Sequence, residues 1–129
     1  MEVTSNTKSV RLPSFSGARK DFHTWWIRFV AYANMCKFLA ALKASGEASM
    51  PSSDSVVIDL TTDAGKMISA AKERNSLAMA NLTMAFETEN LFDLIYKTMS
   101  TDWPAGLAHE VFVQLFNNYS AEIEFQELN

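Results

Sequence analysis

Two histidines, one cysteine and one short charged run are the side chains of this chain that bear on catalysis. A nucleophile needs a base within reach and a third group to orient that base. Cys36 has no motif around it and reads as a small half-buried hydrophobe at the end of an amphipathic helix. His23 falls on the exposed side of a first helical turn. His109-Glu110 is not followed by a second histidine at the spacing of a helical zinc site. Both histidines therefore read as surface residues. Lys72-Glu73-Arg74 reads as a solvated helix edge, with Arg74 placed among apolar rows where it can anchor a carboxylate. Ser45-Gly46-Glu47 lacks the spacing of either nucleotide-binding fingerprint. Met67, Met79, Met84 and Met99 read as core filler. The expectation is no catalytic residue, no cofactor, no metal ligand set and no small-molecule substrate.

The composition agrees with that expectation. The chain has 129 residues, of which 48% are apolar and 20% charged, enough for one domain with a single core. Its net charge is −4. A protein that grips nucleic acid over a wide face carries a basic excess, because phosphate contacts supply most of the affinity. A lone cysteine excludes an intrachain disulfide framework and points to a reducing, cytoplasmic setting. No apolar run approaches the roughly 18 residues of a membrane span. The first residues are polar and lack the apolar stretch of a signal peptide.

The elements that position these side chains read as helices. Glycine (4) and proline (3) are scarce, which suits helices better than a sheet of tight turns. Residues 1–14 read as a flexible polar arm ending at Leu12-Pro13, then Phe15-Ser16-Gly17 as an anchor and a turn. A helix is predicted over 18–34, with Phe22, Trp25, Trp26, Phe29, Val30 and Ala33 at steps that trace one face of a 3.6-residue period. A short helix is predicted over 36–43, with Phe38, Leu39 and Leu42 inward. Residues 44–62 read as a loop whose Val56, Val57, Ile58 and Leu60 dip back to the core. A long helix is predicted over 63–87, capped by Thr62 or Asp63. It has one narrow polar row and apolar residues elsewhere, which places it at the centre of the bundle. A third helix over 89–99 is predicted to bury Leu91, Phe92, Ile95, Tyr96 and Met99, with Thr88 as its cap. A fourth is predicted to start near Pro104 and run to Tyr119, burying Leu107, Val111, Phe112, Leu115, Phe116 and Tyr119. Residues 121–129 read as the start of a following helix or linker. The expected fold is thus all-α, a compact bundle of about five helices over residues 15–120.

The aromatic load of the first helix exceeds what one stripe can bury. Trp25 and Phe29 belong to the core. For Trp26 and Tyr32 the core and an interface are equally open, since interface centres are rich in such residues. Ile27 lies off the stripe.

Three blocks carry a resemblance to a known family. The first is Leu12-Pro13-Ser14-Phe15-Ser16-Gly17, then Phe22, Trp25-Trp26, Phe29 and Ala31. The second is Asn75-Ser76-Leu77-Ala78-Met79-Ala80-Asn81-Leu82. The third is Asp102-Trp103-Pro104-Ala105-Gly106-Leu107-Ala108-His109, followed by Leu115 and Tyr119. Together they resemble the Gag polyprotein of copia-type LTR retrotransposons, in the form seen in Gag-like sequences of algae and other protists. The third block is the most specific. One departure stands out: the family has a short linker with proline and aspartate after the tyrosine, whereas Tyr119-Ser120 here runs straight into Ala121-Glu122-Ile123-Glu124.

The resemblance implies a capsid role and a fold like the N-terminal domain of retroviral capsid proteins. It implies Phe15, Gly17, Phe22, Trp25, Phe29, Leu77, Leu82, Trp103, Pro104, Gly106, Leu107, Leu115 and Tyr119 as motif and core residues. It implies copies of the same chain as partners, in rings that close into virus-like particles in the cytoplasm. The enclosed RNA would be held by other segments, in keeping with the acidic charge. A Gag-derived module that binds a host protein, and a small enzyme built on Cys36 and a histidine, are the alternatives.

Overall fold

The structure, a computed structural model, describes residues 11–120. The helices are α1 (Phe22–Met35), α2 (Ala44–Ala48), α3 (Asp63–Ala85), α4 (Glu89–Tyr96) and α5 (Ala108–Leu115). Short 3₁₀ turns at Arg19–Asp21 and Leu39–Leu42 and a π turn at Phe116–Ser120 complete the helical content. Among the described residues the bundle is all-α with five helices, as expected, and no strand occurs. Most of the predicted arm and the whole segment 121–129 lie outside the described residues.

Local chemistry explains the helix ends. The turn before α1 is set by Gly17 and by Ser16, whose Oγ accepts from the Ala18 N–H at 3.2 Å and donates to Asp21 at 3.3 Å. α1 closes in a Schellman motif: the Phe38 N–H donates to the Ala33 carbonyl at 2.9 Å and the Lys37 N–H to Asn34 at 3.3 Å. Lys37 holds the left-handed position of that motif, with φ 68°. No glycine or proline marks this end, so the predicted helix over 36–43 is instead a reversal followed by one 3₁₀ turn. Thr62 caps α3, its Oγ1 accepting from the Gly65 N–H at 2.9 Å. Thr88 precedes α4 as predicted but makes no side-chain cap.

The core is aromatic. Phe15, Phe22, Trp25 and Phe29 are buried with Phe38 and Phe86. Phe15 stacks on Trp25 at 5.0 Å and also meets the rings of Phe22 and Tyr119. Its backbone pairs with the α3–α4 junction, donating to Ala85 at 2.8 Å and accepting from Glu87 at 3.2 Å. The Trp25 indole N–H donates to the Pro13 carbonyl at 3.0 Å. Leu12 packs against the core as well. Leu12 and Pro13, read as the end of the arm, therefore pack with the bundle.

Several expectations are corrected. Residues 44–62 contain α2, and Val56, Val57 and Leu60 are exposed, Val57 at 94%. They do not dip into the core. α3 is not surrounded: its buried positions form one stripe, Ala71, Asn75, Ala78, Met79, Leu82 and Ala85, while Met67, Leu77 and Met84 face out. Alanines on every side of a helix suggest close neighbours all round, but they also serve as neutral surface residues. α4 buries Leu91, Leu94 and Ile95, leaving Phe92, Tyr96 and Met99 exposed. The predicted apolar row and the buried row differ by a small rotation about the helix axis. α5 starts at Ala108, because residues 103–107 form a turn in which Gly106 has φ 90°.

Candidate functional site

The chemistry-bearing residues do not converge. Cys36 is half-buried beneath Tyr32, whose phenol pKa is pushed up by burial and by the hydrogen bond to that thiol. His23 is exposed on α1, its ring edge against Phe22 at 5.9 Å. His109 sits on α5 and pairs through Nδ1 with Glu47 of α2 at 2.9 Å. It is half-buried, a correction to the surface reading. Glu110, next along α5, has its carboxyl pKa raised by desolvation and then by the nearby Glu47 carboxylate. No three His, Cys, Asp or Glu side chains among the described residues are grouped so as to hold a metal. No described helix is long and apolar enough to cross a membrane.

Lys72 is more than a solvated edge. Its ammonium bridges Asp54 at 3.0 Å and donates to the Asp54 carbonyl at 2.9 Å, tying the loop before α3 to that helix. Arg74 anchors no carboxylate among the described residues, and its Nε is buried without a hydrogen-bond partner. Of the four methionines read as filler, only Met79 is in the core; Met67, Met84 and Met99 are exposed.

The three motif blocks do meet. The buried Asn75 of α3 donates to the Gly106 carbonyl at 3.0 Å and accepts from the Ala108 N–H at 2.8 Å. Thr98, also buried, accepts from the Leu107 N–H at 3.2 Å and donates to Ile95 at 2.9 Å. Together they hold the turn of residues 103–107 against α3 and the end of α4. Trp103, Leu82 and Leu115 are buried, and Leu107 and Tyr119 are half-buried. Leu77 and Pro104, expected with them, are exposed and belong to no core. A leucine beside a buried alanine row and a proline after a buried tryptophan share a motif without sharing an environment. Trp26 is half-buried and stacked on Phe112 at 4.7 Å, and Tyr32 is half-buried against Phe38. Both rim the core instead of standing free of it.

What remains open to partners are the outer faces. A cleft of about 740 Å³ runs between residues 11–16 and α1, with Arg11, Arg28 and Glu87 among its walls. A shallower one of about 690 Å³ lies along α3 beside Ile58. Along α4 and the turn after it the exposed row is Phe92 at 41%, Tyr96 at 73% and Met99 at 43%. Sequence periodicity located this row but assigned it to the core. The roles of Asn75, Thr98 and Glu47 had no signal beyond a polar residue amid apolar ones. No protein-family model, curated protein or solved structure matches this chain.

Proposed function

We propose that this chain is a non-catalytic assembly domain, the N-terminal capsid domain of a copia-type Gag protein. Its copies pack into cytoplasmic particles around element RNA, and other segments capture that RNA. The observation that carries the reading is that the Gag-like blocks share one core, in which Asn75 of the second holds Gly106 and Ala108 of the third. Phe15 of the first stacks on Trp25 and meets the ring of Tyr119, which follows the third. A rigid unit of this kind presents fixed outer faces, and repeated contacts between fixed faces close into rings and shells. Exposed apolar side chains on α3 and α4 supply material for such contacts. Electron microscopy of the concentrated protein tests it. Particles are expected; a strict monomer under every salt condition overturns it.

A second reading, a Gag-derived module that binds a host protein, is favoured by the cleft between residues 11–16 and α1. Its size suits a bound peptide segment. Genomic context separates the two. A neighbouring protease, integrase and reverse transcriptase support the capsid reading, and their absence supports the module.

A further inference from the structure

α4 is anchored from below and bare above. Leu91, Leu94 and Ile95 are buried, and Thr98 is buried with both of its hydrogen bonds made. The direction of the outer row is therefore fixed. That row is Phe92 and Tyr96, one turn apart on α4, continued by Met99 in the turn that follows, whose N–H donates to the Tyr96 carbonyl at 3.1 Å. Beside it run Glu89, Asp93 and Lys97, all exposed. No hydrogen bond or ion pair among the described residues engages their side chains. The acidic pair lies toward the start of α4 and the lysine just past its end. The apolar row lies between and alongside.

This pattern is complementary to its own reverse. A two-fold axis passing near Tyr96 sets two α4 helices antiparallel. Residues are spaced about 1.5 Å along a helix axis. With the axis between Ile95 and Tyr96, Phe92 falls opposite the partner's Met99, Tyr96 within one residue step of its own copy, and Asp93 within one residue step of the partner's Lys97. Asp93 and Lys97 each meet their opposite, and each aromatic meets an apolar group, as an isologous contact requires. Methionine against an aromatic ring is a favourable contact in its own right. A heterologous partner would need no such symmetry of charge along the helix.

We propose that the outer face of α4 is a self-docking surface, on which a second copy of this chain binds antiparallel about a two-fold axis at Tyr96. The inference rests on the assembly reading for its purpose and adds the face and the geometry. The three apolar side chains expose on the order of 350 Å² per copy. A pair with its flanking charges buries about 1,000 Å², the lower edge of specific interfaces. The contact is accordingly weak by itself and gains strength when many act together in one particle.

Sedimentation velocity of the whole chain over a concentration series tests this. The wild type is expected to dimerise in the micromolar to sub-millimolar range. Tyr96→Ala is expected to weaken dimerisation about tenfold or more, with the helical circular dichroism spectrum and melting unchanged because Tyr96 is exposed. Charge reversals test the geometry. Asp93→Lys and Lys97→Asp each set like charges opposite one another, so each alone is expected to stay monomeric. Mixed one to one, the two variants are expected to form a heterodimer, since every reversed charge then faces its opposite. A monomeric wild type at all concentrations overturns the proposal. So does dimerisation that ignores Tyr96→Ala, or a mixture that stays monomeric while the wild type dimerises. Electron microscopy of Tyr96→Ala separates the two readings. Intact particles sink the α4 contact and leave the assembly reading standing. A dimer without particles for the wild type does the reverse.

Discussion

Asn75 makes two hydrogen bonds to backbone groups that have left the helical ladder, and it makes them in a buried place. Asn75→Ala leaves the Ala108 N–H and the Gly106 carbonyl without partners and out of reach of water. Stranding a buried polar group costs about 1–3 kcal/mol. Chemical denaturation of Asn75→Ala is expected to show a loss of roughly 2–3 kcal/mol, and Asn75→Asp to recover part of it through the retained acceptor. The Glu47–His109–Glu110 cluster sets a second residue-scale expectation. Desolvation and the Glu47 carboxylate raise the Glu110 carboxyl pKa above its ordinary value. A raised carboxyl pKa means the folded state holds the proton more tightly than the unfolded chain. The corresponding stability is present at acid pH and is lost as pH rises past the ordinary carboxylate range and through the folded value. Glu110→Gln removes that ionisation. Its melting temperature is expected to gain on the wild type steadily from about pH 4 to pH 7. A constant offset across that range would refute the assignment. The gain is modest, because Glu110 is largely exposed and solvent screens it.

At the scale of elements, two turns bear loads that their residue types do not reveal. Lys37 holds the left-handed corner that ends α1, a conformation that disfavours every side chain with a Cβ. Lys37→Gly relieves that strain and loses some to unfolded-state entropy. A net gain of roughly 0.5 kcal/mol in thermal or denaturant melting is expected. Gly106 is the opposite case. Its φ is 90°, and an added Cβ would collide with Thr98 Oγ1 and approach Met79 Cε to 2.8 Å. Gly106→Ala is therefore expected to cost about 2–4 kcal/mol, combining backbone strain with the loss of the Thr98 hydrogen bond to Leu107. Neither turn was legible in the sequence. A proline in this setting reads equally as the first residue of a helix, which hid the turn at Gly106, and a lysine in the left-handed region announces nothing. The helices were legible in part. α1 and the start of α3 were legible because a steep aromatic stripe and a threonine cap are local signals. The facing of α3 and α4 was not, since alanine and exposed methionine carry no inward preference. Which of two apolar rows on α4 is buried depends on what lies beneath, and a one-dimensional pattern holds no record of it.

The whole molecule is joined at one ring. Phe15 is fully buried, and it touches three separate parts of the chain. Its ring stacks on Trp25 and meets Phe22 of α1 and Tyr119 in the turn after α5, while its backbone pairs with Ala85 and Glu87 where α3 gives way to α4. A residue on a single helix face would loosen one helix when truncated. Phe15 ties segment 11–16, both long helices and the final turn together, so its loss is felt by all of them at once. Phe→Ala at a buried site costs about 3–5 kcal/mol, a large share of the 5–15 kcal/mol that stabilises a domain of this size. Phe15→Ala is therefore expected to lower the denaturation midpoint sharply. Tryptophan fluorescence, which reports Trp25 and Trp26 on α1 and Trp103 before α5, is expected to shift together with far-ultraviolet circular dichroism in one transition. If the two probes separated, with the helical signal surviving after the tryptophan signal had moved, segment 11–16 and α1 would form an independent unit and Phe15 would not be the joint. A single shifted transition means that the outer faces of α1, α3 and α4 keep fixed mutual positions only while the joint is intact. Any particle built on those faces should then fail in Phe15→Ala well below the temperature at which the isolated domain melts.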